Sequence, residues 1–227
     1  MALRQAGGLL ADAVARIGLA VRGESLAEEL RRYKSDRASG APEAAARLRE
    51  LLAAFLRDEG DALWRAARMD SGPSAVAVVP SGQGRLGEHP LAGLVRSCVE
   101  LPLLRLSIAS EVIHIRGVDA GWLRVTGSVA GADVLVVDDT WVSGGSAQSA
   151  AAALKRAGAR RVAIVVLGRH VNPAAPASAR FLAEMGALGV PGALGVPGAL
   201  GTPGENGWPK NLQGAVPSRL RASSWRQ

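Results

Sequence analysis

The spacing of apolar and polar positions along the chain predicts an α/β protein. Short runs of aliphatic, often β-branched residues at 75–79, 103–108, 134–137 and 161–167 are typical of strands buried on both faces. Between most of them, apolar residues recur every three or four positions, which predicts helices. The alternation of strands and helices over 75–170 therefore predicts a mostly parallel sheet flanked by helices, with right-handed crossovers.

Residues 1–72 predict a helical segment packed on this sheet. Asp12 and Arg16 interrupt the apolar start of the chain, which fits neither a signal peptide nor a membrane span and favours an amphipathic helix. Pro42 suits the first turn of a longer helix. The core-facing stripe of that helix consists of Leu48, Leu51, Leu52, Phe55 and Leu56.

The end of the chain differs in composition from the rest. Glycine occupies every third position from 186 to 207 within repeats of Gly-Ala-Leu-Gly-Val-Pro. A collagen-like helix is one interpretation, but only eight triplets are present and proline appears solely in the third position. A disordered tail is the interpretation we adopt. The predicted organisation is a helical segment at 1–72, an α/β core at 73–185 and a tail at 186–227.

Charge and cysteine usage narrow the classes of function. The formal net charge of +7 comes almost entirely from arginines scattered along the chain, without a basic block, so a nucleic-acid partner is not expected. Cys98 is the single cysteine, which excludes an internal disulfide, suits the cytoplasm and predicts a buried structural thiol. His89, His114 and His170 lack the spacing of metal ligands and read as ordinary histidines.

Residues 134–149 carry the clearest chemistry. Four apolar residues predict a buried strand that ends at Asp138 and Asp139. An alanine-rich run at 147–157 then predicts a helix, which Ser146 would cap and Gly158 would end. The N-terminus of a helix presents unpaired N–H groups and partial positive charge, so this turn suits a phosphate.

The residue types around that turn narrow the ligand further. Gly144 and Gly145 let the backbone approach a phosphate closely, and the hydroxyls of Ser143 and Ser146 can add donors. One of the two carboxylates can accept hydrogen bonds from vicinal sugar hydroxyls while the other bonds locally or holds a hydrated metal. A ligand with a phosphate at one end and a diol at the other is a ribose 5-phosphate. No lysine follows the glycines, which argues against the P-loop of nucleoside triphosphatases.

This segment resembles the phosphoribosyl pyrophosphate (PRPP) motif of the type I phosphoribosyltransferases. That motif is an apolar strand, two acids, a few variable residues and then Thr/Ser-Gly-x-Thr/Ser. The matching residues here are Asp138, Asp139, Thr140, Val142, Ser143, Gly144, Gly145 and Ser146. Val142 stands where the family usually has a threonine, which removes one phosphate donor but no backbone donor. The resemblance covers about residues 75–170.

Tyr33-Lys34 is a weaker resemblance, to the small amidophosphoribosyltransferase-like proteins of bacterial competence clusters. Those proteins often carry a lysine-tyrosine pair after an early helix, and the order is reversed here. They also usually begin with a four-cysteine zinc module, which this chain lacks. The resemblance therefore concerns the catalytic domain alone, and Lys34 is interpreted as a solvated lysine at a helix end.

A second glycine-rich loop follows the strand at 75–79. In the family this loop grips pyrophosphate, so the resemblance assigns that role to Ser81, Gly82, Gln83, Gly84 and Arg85. The same glycines satisfy the dinucleotide pattern G-x-G-x-x-G, but Pro90 places the following helix after the glycine run and not within it. A dinucleotide-binding protein is therefore the less favoured alternative.

The resemblance implies transfer of the phosphoribosyl group of PRPP to a nitrogen nucleophile, with Mg²⁺ as cofactor and release of pyrophosphate. Asp138 and Asp139 would contact the ribose and the metal, the latter through substrate or water. A mobile flap would carry Arg116 and Arg124 toward pyrophosphate. The acceptor, a nucleobase or an amine, is not identified, and a homodimer is compatible with the family. A non-catalytic PRPP or nucleotide sensor is the main alternative, because the sequence shows no clear general base.

Overall fold

The computed structural model describes residues 8–35, 38–81, 89–109, 117–176, 178–179 and 182. The described helices and strands follow in chain order: β1 (Ala13–Val21), α1 (Ser25–Arg32), α2 (Ala41–Ala67), β2 (Ala75–Val78), α3 (Pro90–Arg96), β3 (Leu103–Ile108), β4 (Leu123–Thr126), β5 (Asp133–Trp141), α4 (Gly145–Arg156) and β6 (Arg161–Val171). Among the described helices, none is both long and apolar enough to cross a lipid bilayer.

One six-stranded sheet organises these elements, in the order β1-β6-β5-β2-β3-β4. All neighbours are parallel except β3 and β4, which pair antiparallel at one edge. The helices α1, α2 and α3 pack on one face of the sheet, around a shared apolar cluster. The helix α4 packs on the other face, around a second apolar cluster. The prediction of an α/β fold with a mostly parallel, helix-flanked sheet is confirmed, as are helices in the N-terminal part of the chain.

The strand β1 corrects the prediction of an amphipathic helix over 1–23. Its apolar residues alternate between the two faces of the sheet, with Ala13 and Ala15 in one cluster and Val14 in the other. Parallel pairing with β6, from Ala13 with Ala163 to Val21 with Val171, buries the strand on both sides. Arg16, which suggested a polar helical face, is half-buried within this strand.

Strand alternation shifts by one residue at the same level in β1 and β6. Ile17 and Ala20 lie three residues apart yet pack in the same cluster. In β6, Leu167 packs in that cluster, and a Cβ on the next residue, Gly168, would also point there, 2.5 Å from Cδ1 of Leu30. Glycine at 168 therefore lets α1 lie directly on the sheet.

The same shift occurs in β5, where it matters for the candidate site. Val137 packs against the α1 side and Trp141, four residues on, packs against the α4 side. Regular alternation would put both on one face, since the side-chain period of a strand is two. The acidic pair lies between them, at the carboxyl end of the strand.

Candidate phosphate and ribose site

The turn from β5 into α4 is built around two glycines. Gly144 is the N-cap of α4 and has φ = 80°, in the left-handed region, so the predicted capping by Ser146 is wrong. Oγ of Ser143 accepts the backbone N–H of Gly145, the first residue of the helix, at 3.4 Å. A Cβ on Gly144 would collide with the indole ring of Trp141, which fills that space. Both the dihedral angle and the neighbouring ring therefore require glycine here.

Gly145 is required for a different reason. Its Cβ would lie 2.6 Å from the carbonyl oxygen of Gly117, so the loop that follows residue 116 packs directly on the first turn of α4. The backbone N–H of Asp119 donates to Oγ of Ser149 at 2.8 Å and holds that loop in place. The side chain of Val142 is 69% exposed and does not take part in this packing.

The helix α4 presents its N-terminus at the carboxyl end of the central strands. Its inward face is almost entirely alanine, including Ala147, Ala150 and Ala151, which are fully buried and let the helix lie close to the sheet. The first-turn N–H groups and the partial positive charge of the helix lie at the same end of the sheet as Asp138. This arrangement suits an anion held mainly by backbone donors.

Three side chains converge on one oxygen of Asp139. The hydroxyl of Tyr33 donates a hydrogen bond to Oδ2, and Nζ of Lys34 lies 2.8 Å from the same atom. Nε2 of His89 lies 3.8 Å from it. Asp139 is buried, with its side chain 8% exposed. Because little solvent reaches this carboxylate, the ammonium group of Lys34 balances its charge. The interpretation of Lys34 as a solvated lysine is wrong.

His89 joins the second glycine-rich loop to this cluster. It is the N-cap of α3, where Nδ1 accepts the backbone N–H of Leu91 at 3.2 Å. That bond leaves the ring proton on Nε2, the nitrogen that faces Asp139. His89, the first described residue after 82–88, is therefore fixed beside the carboxyl end of β5.

Asp138 has surroundings unlike those of Asp139. It is half-buried, and its Oδ1 accepts the backbone N–H of Asp139 at 2.9 Å. Burial, and next the charge of Asp139, raise the pKa of Asp138 to about 7, while Lys34 and the backbone donors of Asp139 and Thr140 act in the opposite direction. Of the two carboxyl groups, Asp138 is the more exposed to solvent, so it is the one that a ligand can reach.

The acidic pair fits a magnesium ion only in a limited way. No group of three or more carboxylate, histidine or cysteine side chains suited to a metal occurs among the described residues. The Oδ2 of Asp139 is engaged by Tyr33 and Lys34, so Asp138 is the carboxylate that can face a cation. One carboxylate suits a hydrated Mg²⁺ that arrives with substrate phosphates, since Mg²⁺ keeps several waters and favours such mixed ligation.

The predicted site residues are brought together only in part. The acidic pair and residues 140–146 are contiguous, running from the end of β5 into the first turn of α4. Ser81, half-buried, follows β2, the strand next to β5. Arg124 lies in the edge strand β4, three strands from β5, and is exposed. The remaining predicted residues lie outside the described ranges: Gly82, Gln83, Gly84, Arg85 and Arg116.

Tyr33 and His89 are site residues that sequence reasoning did not assign. The signal available for the first was the Tyr33-Lys34 pair at a helix end, and for the second it was a histidine directly before a first-turn proline. Neither signal specifies Asp139 as the partner, because the chain separation from Tyr33 is 106 residues.

A cavity of about 590 Å³ lies at the opposite end of the sheet. Pro73 and Leu101, which precede β2 and β3, line it together with Trp64 of α2. The carboxyl ends of parallel strands are where ligands bind in open α/β sheets, and this cavity is at the amino ends. It therefore does not contribute to the acidic-pair site.

No protein-family model matches the chain, and no curated protein sequence matches it. Solved structures similar to it include orotate phosphoribosyltransferase of Mycobacterium tuberculosis H37Rv, 22% identical over 70% of this chain and 80% of that one, with a TM-score of 0.36. Purine phosphoribosyltransferase of Pyrococcus horikoshii is 18% identical over 57% of this chain and 88% of that one, with a TM-score of 0.34.

Phosphoribosylpyrophosphate synthetase of Mycobacterium smegmatis is also similar, with 22% identity and a TM-score of 0.33. The similarity covers 60% of this chain and only 37% of that one. At such identities and TM-scores these likenesses carry no conclusion about chemistry.

Proposed function

We propose that this protein binds PRPP at the carboxyl end of β5 and transfers the phosphoribosyl group to a nitrogen nucleophile. One observation carries the proposal: two adjacent carboxylates lie near the carboxyl end of a buried strand, ahead of a glycine turn at a helix N-terminus. Protein side chains engage Asp139, and Asp138 is the more exposed of the two. The more exposed carboxylate suits a vicinal diol and the helix suits a phosphate. Both groups occur on the ribose 5-phosphate part of PRPP.

In this proposal the backbone of the turn binds the 5-phosphate and Asp138 accepts hydrogen bonds from the ribose hydroxyls. Lys34 and Tyr33 hold Asp139, which keeps the end of β5 in place. The loop after β2 would grip the pyrophosphate. Mg²⁺, when bound with the substrate, would neutralise pyrophosphate charge beside Asp138.

The proposed reaction is a displacement at C1 of the ribose. The lone pair of the acceptor nitrogen forms the N–C1 bond as the C1–O bond to pyrophosphate breaks, and the proton lost by the nitrogen passes to solvent. Positive charge develops on the ribosyl group as the bond to pyrophosphate weakens. The protein therefore contributes by positioning the sugar, balancing charge and excluding water.

Thermal unfolding with PRPP and Mg²⁺ tests the binding step. A ligand that binds only the folded state adds about 2.7 kcal/mol of stability at a hundredfold its dissociation constant. A pyrophosphate-release assay across purines, pyrimidines, glutamine and ammonia tests the transfer step. Absence of stabilisation by PRPP, at concentrations up to the solubility limit, would overturn the proposed function.

A PRPP or nucleotide sensor without catalytic activity is the second candidate. The exposed, apolar Val142 favours it, because this loop position offers no hydroxyl or carboxyl group to a ligand. Stabilisation by PRPP without pyrophosphate release from any acceptor would favour the sensor. The dinucleotide alternative is less favoured still, because α3 begins at Pro90, after the glycine run.

A further inference from the structure

The cavity at the amino ends of β2 and β3 has an apolar floor that is part of the packed fold. Its volume of about 590 Å³ lies within the range of roughly 300–1,000 Å³ that is usual for small-molecule sites. The floor is made by side chains that belong to, or pack against, the apolar cluster shared by α1, α2 and α3: Leu56, Met69, Val99, Leu101 and Leu135. An apolar group of a ligand would be buried on this floor.

Trp64 forms one wall of the cavity, and two glycines seat its indole ring. A Cβ on Gly60, one turn earlier in α2, would lie 3.3 Å from Nε1 of the ring. A Cβ on Gly72 would lie 3.6 Å from Cδ1. Glycine inside a helix is less favourable than alanine, so Gly60 lowers the stability of α2 at the position where a Cβ would press on the ring. Trp64 is half-buried, which leaves part of its ring accessible from the cavity.

Three exposed carboxylates from separate segments stand at the rim of the cavity: Asp61 in α2, Asp70 before β2 and Glu100 before β3. Within the described part of the chain, Asp61 and Glu100 form no ion pair. Asp70 acts on the charge of Arg160, but that guanidinium group forms its ion pair with Asp133, at 2.6 Å. The rim carboxylates are therefore accessible to a cation.

The acidic rim contrasts with the charge of the whole chain. The formal net charge is +7, yet Arg65 is the only basic side chain among the described residues that line the cavity. The field of the protein as a whole disfavours cations, and the local field of the rim favours them. The face of an indole ring also attracts cations, within about 6 Å of its centre. Charge complementarity therefore selects a positively charged ligand for this apolar cavity.

From the juxtaposition of Trp64, the apolar floor and the rim carboxylates, we infer that the cavity binds an organic dication, a compact apolar body that carries two ammonium groups. Three carboxylates and one guanidinium leave two negative charges at the cavity for such a ligand to balance. The apolar body would lie on the floor beside the indole, and the ammonium groups would face the rim. The inference goes beyond the proposed function and does not depend on it, because the cavity and the acidic pair lie at opposite ends of the sheet.

Two compounds of the same shape test the class of ligand: p-xylylenediamine and its neutral counterpart, p-xylylene glycol. Calorimetric titration of the full-length protein at neutral pH measures the affinity for each. The diamine should bind about tenfold or more tightly than the glycol, because the glycol lacks the ion pairs and the cation–π contact. Equal affinity for the two compounds, or no measurable binding of the diamine at millimolar concentrations, would overturn the inference.

Charge variants locate the bound diamine. Glu100→Gln and Asp70→Asn each remove one charge at an exposed position, so the fold should be kept while the affinity for the diamine falls several-fold. The double variant should lose about tenfold or more. Glu50→Gln, at an exposed position of α2 that does not line the cavity, is the matched control and should keep the affinity of the parent. Parental affinity in the double variant would overturn the inference.

Trp64 provides a second measurement. The diamine should change the tryptophan fluorescence of the parent, and this change should be absent in Trp64→Phe, which keeps an aromatic ring in the wall. Gly60→Ala should weaken diamine binding several-fold because the new Cβ displaces the indole, although alanine favours the helix. A fluorescence change of the same size in Trp64→Phe would place the diamine elsewhere and overturn the inference.

The acidic pair at the end of β5 is the other place where a cation could bind. Asp138→Asn should therefore leave the affinity for the diamine unchanged. A loss in this variant as large as the loss in the double variant at the rim would overturn the inference. Failure of the parent to bind PRPP would overturn the proposed function alone, because the diamine titrations contain no PRPP.

Discussion

Adjacent acids at the end of β5 have different roles because their surroundings differ. Asp139 is buried, accepts a hydrogen bond from the hydroxyl of Tyr33 and forms an ion pair with Lys34. Burial, and next the charge of Asp139, raise the pKa of Asp138 to about 7. A carboxyl group with such a pKa changes its protonation state within the physiological range, so ligand binding at this residue should depend on pH.

The substitution Asp138→Asn tests this difference. With a folded-state pKa raised from 3.8, the contribution of Asp138 to stability is complete below that value and is lost as the pH rises through about 7. The variant cannot ionise, so it should melt at a higher temperature than the parent at pH 8, and the difference should shrink at pH 4. Differential scanning calorimetry across this range measures it.

Asp61→Asn, at an exposed position of α2, is the matched control and should show no such pH dependence. A constant difference between Asp138→Asn and the parent from pH 4 to pH 8 would contradict the assignment. In the parent, ribose 5-phosphate should also bind more tightly as Asp138 ionises, beyond the change shared with the variant.

Ser146 allows phosphate binding to be separated from helix stability. It lies in the first turn of α4, where an acidic side chain stabilises a helix by about 0.3–1 kcal/mol. The same charge would repel a bound phosphate. Ser146→Asp should therefore keep or raise Tm while it weakens ribose 5-phosphate binding by about a hundredfold or more.

Ser146→Ala is the control, and its loss should be about tenfold or less because backbone donors remain. Calorimetric titration of the two variants gives the comparison. If the aspartate variant bound ribose 5-phosphate as well as the alanine variant did, the phosphate would have to lie elsewhere.

At the scale of elements, the end of α1 is tied to the end of β5. Tyr33 is the C-cap of α1 and Lys34 follows it, so two of the three side chains around Oδ2 of Asp139 come from one helix end. The third side chain near Asp139 is that of His89, the N-cap of α3. The acidic pair thus depends on two elements that lie on the same face of the sheet, the face opposite α4.

Lys34→Met removes one partner of Asp139. A buried carboxylate that loses such a partner should reduce the free energy of unfolding by about 1–3 kcal/mol. Combined with Asp139→Asn, the same change should cost less than the two single changes together, because the charge that needs Lys34 is gone. Urea unfolding of the four proteins of this cycle measures the coupling, and additivity would argue against a stabilising ion pair.

Gly168→Ala tests the close contact of α1 with the sheet. The new Cβ would lie 2.5 Å from Leu30 and 3.0 Å from Ala20, so the change should cost about 1–3 kcal/mol of stability. Gly93→Ala, in α3, is the matched control: nothing lies within 4 Å of its Cβ position, and a gain of up to about 1 kcal/mol is expected. Equal stability of the two variants would contradict the contact.

Local signals predicted much of this arrangement, and distant contacts account for the rest. The strand, the acidic pair, the glycine turn and the helix follow one another directly in the chain. Their arrangement in the candidate site could therefore be predicted from local sequence alone. β1 was missed because its partner among the described strands, β6, lies far along the chain, with Ala13 paired to Ala163, and periodicity does not register a partner that far away. The role of Lys34 was missed for the same reason.

At the scale of the whole molecule, the tail at 186–227 remains a sequence prediction. The last described strand, β6, already completes the pairing of β1 and β5. Removing 186–227 should therefore leave Tm unchanged, because the segment lacks a periodic apolar face. A large drop in Tm on truncation, or a triple-helix signal by circular dichroism in the full chain, would contradict the prediction of a disordered tail.

The edge position of β1 has a consequence for synthesis on the ribosome. This apolar strand emerges before the other described strands, and its partner β6 follows about 150 residues later, which at about 5–20 residues per second means a wait of roughly 8–30 s. During that interval β1 has an unpaired backbone and two apolar faces, the features that promote association between nascent chains. Chaperone protection of residues 13–21 should therefore matter until β6 has been translated.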